Sequence, residues 1–248
     1  MFFAFDVDGT LTPSRQRIDP NFEQWFIEWM SIVQDKGHSV LLVTGSDYDK
    51  TVEQLGSAIT ESVDYCCNCL GNHVLHKGQL IESYTFEPSN NLIEFLESEL
   101  ASSPYTERYG NHIEHRGSMI NFSVVGRNAF GEQRKRYYDW DRFSCERLTL
   151  AEKINTLFPD VSAQAGGETG IDIIPNGRDK RQVIKYTGDQ KVWFFGDRLD
   201  DGGNDKPLAD ALLASGTNSE AFHVKSWHET WEMLQDITIN DLKITIHK

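Results

Sequence analysis

Two uninterrupted apolar runs with one amphipathic segment between them constrain this chain most. Phe2-Phe3-Ala4-Phe5 and Ser39-Val40-Leu41-Leu42-Val43 lack the polar alternation of a strand with one wet face, so both read as strands buried on both sides. Between them, Asp19-Pro20 marks a helix start, with a capping carboxylate and a proline at the first helical position. Phe22, Trp25, Phe26, Trp29, Ile32 and Val33 then recur at helical spacing until Gly37 stops the helix. Strand, helix and strand of this kind build a parallel α/β sheet. The unit recurs near the C-terminus. There Val192-Trp193-Phe194-Phe195 stops at Gly196-Asp197, and Ser226-x-x-Glu229 opens a helix with Trp227, Trp231 and Leu234 on one face.

The middle of the chain reads differently. Residues 112–125 resemble a hairpin turning at Gly117-Ser118, and helical stretches lie before it at about 90–100 and after it at about 131–158. Thr149-x-x-Glu152 reads as a capping box before Ile154, Leu157 and Phe158, and residues 171–174 as a short strand. The expected division is a first core segment over 1–82, an inserted antiparallel α+β module over 83–176 and a second core segment over 177–248. With 248 residues, one domain interrupted by another fits the length. Ile237, Ile239, Leu242, Ile244 and Ile246 alternate at the C-terminal end with no functional reading attached.

Charge removes several function classes. Lys and Arg number 24 against 38 Asp and Glu, a net of −14, so nucleic acid and anionic membrane surfaces are not expected partners. The average conceals a basic island: residues 108–147 carry eight Lys and Arg against five Asp and Glu, a net of +3, leaving −17 elsewhere. No apolar run approaches the length of a membrane span, and the first one ends at Asp6 without a basic leader, so a signal peptide is not expected. Cys66, Cys67 and Cys69 crowd one apolar segment and Cys145 stands apart; small buried thiols in a reducing cytoplasm are the expectation.

The chemistry concentrates where strands end. Asp6-Val7-Asp8-Gly9-Thr10 follows the first strand, at the carboxyl edge where open α/β sheets bind ligands. On extended backbone Asp6 and Asp8 project to one side and can address one reacting group. Paired carboxylates repel, and a hard cation such as magnesium is the usual relief. Thr44-Gly45-Ser46-Asp47 follows the second strand with hydroxyls suited to a phosphoryl group. Lys180, within Gly177-Arg178-Asp179-Lys180-Arg181, supplies a point charge for developing phosphoryl charge. Asp197, followed by Gly202-Gly203-Asn204-Asp205, would complete a metal site with Asp6. Singly, each loop is an ordinary polar turn; four at strand ends in this order are not.

The series DVDGT, TGS, lysine and GD…GGND resembles the haloacid dehalogenase superfamily of aspartyl-phosphate phosphotransferases. Further stretches resemble eukaryotic-type phosphomannomutases: Asp6 through Ile18, Ser46–Lys50 with Glu53-Gln54-Leu55-Gly56, Ile113-Glu114-His115-Arg116, Asn121, Ser123, Gly126-Arg127, Gly166-Gly167, Asp172, and the segments around Lys180 and Gly196–Asp205. The resemblance implies a Rossmann-like parallel-sheet core with an inserted α+β cap domain of antiparallel sheet plus helices. It implies Asp6 as nucleophile, Asp8 as general acid and base, and magnesium on Asp6, the Asp8 main-chain carbonyl and Asp197. It also implies a sugar phosphate bound by Arg15, Arg116, Arg127 and Arg134, with Asp172 on sugar hydroxyls. The expected reaction interconverts hexose 6-phosphate and hexose 1-phosphate, mannose first, with a hexose bisphosphate as primer. If the chain pairs with a copy of itself, the cap is the expected face.

Three departures bear on this. The family's serine two residues before Asp172 is Gly170, an aromatic is replaced by His115, and Glu-Asn-Gly after the third strand is Cys69-Leu70-Gly71. They leave open a sugar-phosphate phosphatase on the same scaffold, in which water takes the phosphoryl group. A non-catalytic sugar-phosphate sensor is the remaining alternative, disfavoured by the presence of Asp6, Asp8, Lys180 and Asp197 together.

Overall fold

A computed structural model describes residues 1–240. The first stretch holds β1 (Phe2–Phe5), α1 (Pro20–Asp35), β2 (Ser39–Val43), α2 (Tyr48–Leu55), α3 (Ser57–Ser62), β3 (Tyr65–Asn68), β4 (His73–His76) and β5 (Gln79–Ser83). Next come α4 (Asn90–Ser102), β6 (Ile113–His115), β7 (Ile120–Phe122), α5 (Glu132–Ser144), α6 (Glu146–Leu157), β8 (Val161–Gly166) and β9 (Gly170–Pro175). The last stretch is α7 (Ile184–Thr187), β10 (Val192–Gly196), α8 (Lys206–Ala214), β11 (Glu220–His223) and α9 (Trp227–Asn240). Two compact units result: one of Met1–Glu82, Lys180–Leu199 and Asp205 onward, the other of Ser83–Asp179 with Asp200–Asn204.

The first unit is a seven-stranded sheet in the order β11-β10-β1-β2-β3-β4-β5. Its five strands from β11 to β3 run parallel, and β4 returns antiparallel to β3. The apolar runs are continuous because both faces are covered. Phe3, Phe5, Val40 and Leu42 pack with Phe22, Phe26 and Trp29 of α1, whereas Phe2, Ala4, Leu41 and Val43 pack with Phe194 and with Leu208 and Leu212 of α8. Asp19 caps α1 as expected, accepting from the amides of Asn21 and Phe22. At α9, Ser226 precedes the helix and Glu229 reaches back to the Lys225 amide, one residue beyond the expected box partner. Leu242, Ile244 and Ile246 lie outside the described residues.

The second unit is an antiparallel sheet in the order β6-β7-β9-β8, with helices on one face. The predicted hairpin is present, shortened to 113–115 and 120–122, with Gly117 at φ +70° in the turn. The helical stretch 131–158 is two helices, broken at Cys145, which sits at φ +55°. The Asp141 carboxylate caps the second of them, accepting from the Arg147 amide at 2.9 Å, so Thr149 lies inside α6 and caps nothing. Cys145 is exposed, unlike Cys66, Cys67 and Cys69, and this corrects the expectation for one thiol of four.

Asp141 also receives Arg147 Nε at 2.8 Å, and Arg147 Nη1 donates to the Gly167 carbonyl at 2.8 Å. Both side chains of this pair are buried. Arg147→Met is expected to cost about 3–5 kcal/mol, because it strands the Asp141 carboxylate and frees the β8–β9 turn. The fall in urea midpoint measures it, and Asp141→Leu in the same chain should recover most of the loss. No helix among the described residues is long and apolar enough to cross a membrane.

Candidate active site

Parallel pairing puts the carboxyl ends of β10, β1 and β2 on one edge of the sheet. Phe5 stands opposite Phe195 on one side and Leu42 on the other, and the Asp6 amide donates to the Phe195 carbonyl at 2.9 Å. Asp6, Thr44 and Asp197 therefore follow three adjacent strands on one edge, and Asp6 and Asp197 come together there.

At the centre is an ammonium ion with no access to water. Lys180 opens a short 3₁₀ turn (Lys180–Val183) and is fully buried. Its Nζ lies 2.5 Å from Asp6 Oδ1 and 2.6 Å from Asp205 Oδ1. Asp6, Asp197 and Asp205 each bring a carboxylate oxygen within 4.8 Å of the others. Burial pushes the Asp6 carboxyl up to about 7, against the pull of Lys180 and with help from the Asp205 and Asp8 charges. Burial raises Asp197 as well, reinforced by Asp6 and Asp205. Burial alone would lower Lys180, but Asp205 and Asp6 outweigh it and hold the ammonium charged. One lysine offsets one of three gathered carboxylates, and the donor set is all hard oxygen. Those residues fit a divalent cation such as magnesium.

Glycine is required at two points of this packing. A Cβ on Gly9, which sits at φ +84°, would lie 2.5 Å from Asp197 Oδ2, and one on Gly196 would lie 2.7 Å from Asp205 Oδ2. The approach of the loops thus depends on missing side chains.

Asp8 stands apart from the acidic group by its side chain. Its Oδ1 accepts from the Arg15 amide at 2.5 Å and Gln54 Nε2 at 2.9 Å, and its Oδ2 from Ser46 Oγ at 3.4 Å. The Asp8 carboxylate is thus engaged by hydrogen-bond donors rather than gathered with Asp6, Asp197 and Asp205. Ser46 is held in turn by its amide on Thr44 Oγ1 at 3.1 Å. Arg15 is half-buried with φ +58°. Asp205 and Gln54 were not among the candidate residues. Asp205 ends the Gly202-Gly203-Asn204-Asp205 loop with no role expected of it alone, and its link to Lys180 is a contact across 25 positions. Gln54 is a buried polar residue on a short helix, where nothing local shows which way it faces.

In the second unit the candidate residues fall into three groups. Arg116 and Arg127 converge on one carboxylate oxygen of Glu114, at 2.6 and 3.0 Å. Arg134 binds Glu168 at 3.0 Å and Thr169 Oγ1 at 3.2 Å, with its side chain 9% exposed. Asp172 accepts from Asn121 Nδ2 at 2.6 Å and Asn204 Nδ2 at 3.4 Å.

The eukaryotic phosphomannomutase sequence model matches residues 28–238. Curated relatives agree in name and in reach. Phosphomannomutase 1 of Mus musculus is 33% identical over 214 residues, covering 81% of this chain and 80% of the relative. The Arabidopsis thaliana phosphomannomutase is 32% identical over 221 residues, covering 86% of this chain and 88% of the relative. The chain belongs to the eukaryotic phosphomannomutase family. Solved structures carry the same fold at much lower identity. The C-terminal domain of Candida albicans trehalose-6-phosphate phosphatase, 16% identical, superposes with a TM-score of 0.62 over 96% of this chain and 90% of that one. The truncated IMP-nucleotidase of Plasmodium falciparum, 15% identical, gives 0.62 over 95% and 69%.

Two departures from the family pattern have a visible setting. Leu70, at the position where the resemblance implies asparagine, is buried at φ +61°, and its carbonyl accepts from Gln182 Nε2 at 2.8 Å. Gly170, at the position where the resemblance implies serine, leaves room for Asn121: a Cβ there would lie 2.6 Å from Asn121 Nδ2. Nothing in the structure explains His115.

Proposed function

We propose that this member of the phosphomannomutase family interconverts hexose 6-phosphate and hexose 1-phosphate, mannose being the expected hexose, through an aspartyl-phosphate on Asp6. The observation that carries the reading is the buried Lys180 ammonium shared by Asp6 and Asp205, with Asp197 beside them. An Asp6 oxygen forms the new bond to phosphorus while the bond from phosphorus to the sugar oxygen breaks. Asp8, steadied by Arg15, Gln54 and Ser46, gives its proton to the departing oxygen and takes one back from the hydroxyl that attacks next. Lys180 neutralises charge on the transferring group, and the Thr44 and Ser46 hydroxyls lie on the same sheet edge.

Asp6, Asp197 and the Asp8 carbonyl would hold magnesium, with Asp205 a further carboxylate of the group; bound there, the cation would supply charge neutralisation for the phosphoryl oxygens. Magnesium is accordingly expected to raise Tm by about 5–10 °C at a hundredfold excess over its Kd. Asp197→Asn should remove that shift; an unchanged Tm in the parent protein would exclude the cation site.

Arg116, Arg127 and Arg134 are the proposed grip on the phosphate that does not react, exchanging Glu114 and Glu168 for phosphate oxygens. Arg15, in the first unit, is a further proposed sugar-phosphate ligand. Asp172 would take sugar hydroxyls. Phe130 and Phe143, exposed on the second unit, would supply the apolar face for pairing with a second copy, which sedimentation would detect. The buried thiols suit a reducing, cytoplasmic location.

The direct assay mixes the protein with magnesium, mannose 1-phosphate and a hexose bisphosphate primer and follows mannose 6-phosphate against free phosphate. Isomerisation outpacing phosphate release supports the mutase. Rapid phosphate release without isomerisation would replace it with a sugar-phosphate phosphatase.

A further inference from the structure

One row of directly opposed residues crosses the antiparallel sheet of the second unit. Glu114 stands opposite Asn121, Asn121 opposite Asp172, and Asp172 opposite Gln164. Opposed residues on neighbouring strands share a face. Ile120, Phe122, Ala163, Ile171 and Ile173, their neighbours along the strands, enter the apolar cluster on the opposite face. The four polar side chains therefore lie on the face turned away from that core.

Their hydrogen bonding is incomplete in one sense only. Glu114 is taken by Arg116 and Arg127, and Asp172 receives two amide donors. Asn121 Oδ1 and Gln164 Oε1, however, are buried acceptors without a partner. Asn121 is 3% exposed, and its amide nitrogen is already committed to Asp172. Buried carbonyl oxygens in this state are costly unless something donates to them. Phosphate cannot, having acceptor oxygens when fully ionised, but the hydroxyls of a sugar can. The row thus differs in kind from the arginine groups beside it.

We propose that Gln164, with Asn121, is a specificity-determining contact for the sugar ring, its Oε1 accepting from a ring hydroxyl on the flank of Asp172. This rests on the hexose-phosphate reading above. Gly170 belongs to the same device, because a side chain there would displace the Asn121 amide. With no side chain at Gly170, the amide oxygens of Asn121 and Gln164 are the acceptors the row offers.

The test is calorimetric binding of mannose 1-phosphate, and of its 2-, 3- and 4-deoxy analogues, to the parent protein, Gln164→Leu and Gln164→Glu. Gln164→Leu is expected to weaken mannose 1-phosphate about tenfold while Tm stays or rises, since it removes an unpartnered buried oxygen. One deoxy analogue should bind the parent as weakly as mannose 1-phosphate binds Gln164→Leu, and should bind the variant no worse. Gln164→Glu, which keeps an acceptor, should recover part of the affinity. Binding by Gln164→Leu within twofold of the parent overturns the inference and leaves the mutase reading standing. Gln164-dependent binding without turnover upholds the inference and overturns the mutase. A parent protein that binds none of these sugars overturns both.

Discussion

Lys180→Met is expected to destabilise the protein by about 3–5 kcal/mol and to lower phosphoryl transfer about 10³-fold. The two effects share one cause. The ammonium is fully buried and sits at 2.5 and 2.6 Å from carboxylates that are themselves 5% and 0% exposed. Without it, Asp6 and Asp205 are left buried and uncompensated, which costs stability. The transferring phosphoryl group loses the same positive charge, so rate falls with stability. Tm should drop by on the order of 10 °C. Lys180→Arg should not rescue either property, because a planar guanidinium cannot occupy the space of a compact ammonium held from two sides. Wild-type stability in Lys180→Met would show that the three carboxylates do not depend on the ammonium.

Gly9→Ala should separate activity from stability. Its left-handed backbone costs an alanine about 1–2 kcal/mol. The larger consequence is steric: the new methyl would stand 2.5 Å from Asp197 Oδ2 and 2.8 Å from its Cγ, so Asp197 must move by about an ångström. Displacement of that size at a reacting centre costs about 10²-fold in kcat/KM. The magnesium-dependent rise in Tm should shrink in the same variant while the cation-free Tm falls only slightly. A kcat/KM within threefold of the parent would mean that the Asp197 position is not critical.

The parallel core was legible because its strands are buried on both faces. Phe2–Phe5, Ser39–Val43 and Val192–Phe195 carry that condition in four or five residues each, and Asp19-Pro20 announces α1. The second unit was less legible. β8 reads Val-Ser-Ala-Gln-Ala-Gly, with small residues on its core face that give little hydrophobic contrast. The break between α5 and α6 falls at Cys145, a residue with no general liking for left-handed backbone, and follows from the Asp141–Arg147 contacts rather than from a capping motif. At the candidate site the ordered loops follow β1, β2 and β10, and a parallel sheet delivers those strand ends to one edge. Asp205 and Gln54 did not stand out, because each acquires its place from partners more than twenty positions away. The polar row through Asn121, Asp172 and Gln164 was invisible for the same reason. It exists only in the register of three strands.

The most direct measurement follows the phosphoryl group itself. The protein is loaded with hexose 1,6-bisphosphate carrying labelled phosphate and magnesium, quenched in acid, and digested to locate the label; a parallel sample is chased with unlabelled mannose 1-phosphate before quenching. Label is expected on the peptide containing Asp6 and not in Asp6→Asn, and in the chase it should move to a sugar bisphosphate. Label on another residue, or recovered in the chase as inorganic phosphate, would contradict that expectation.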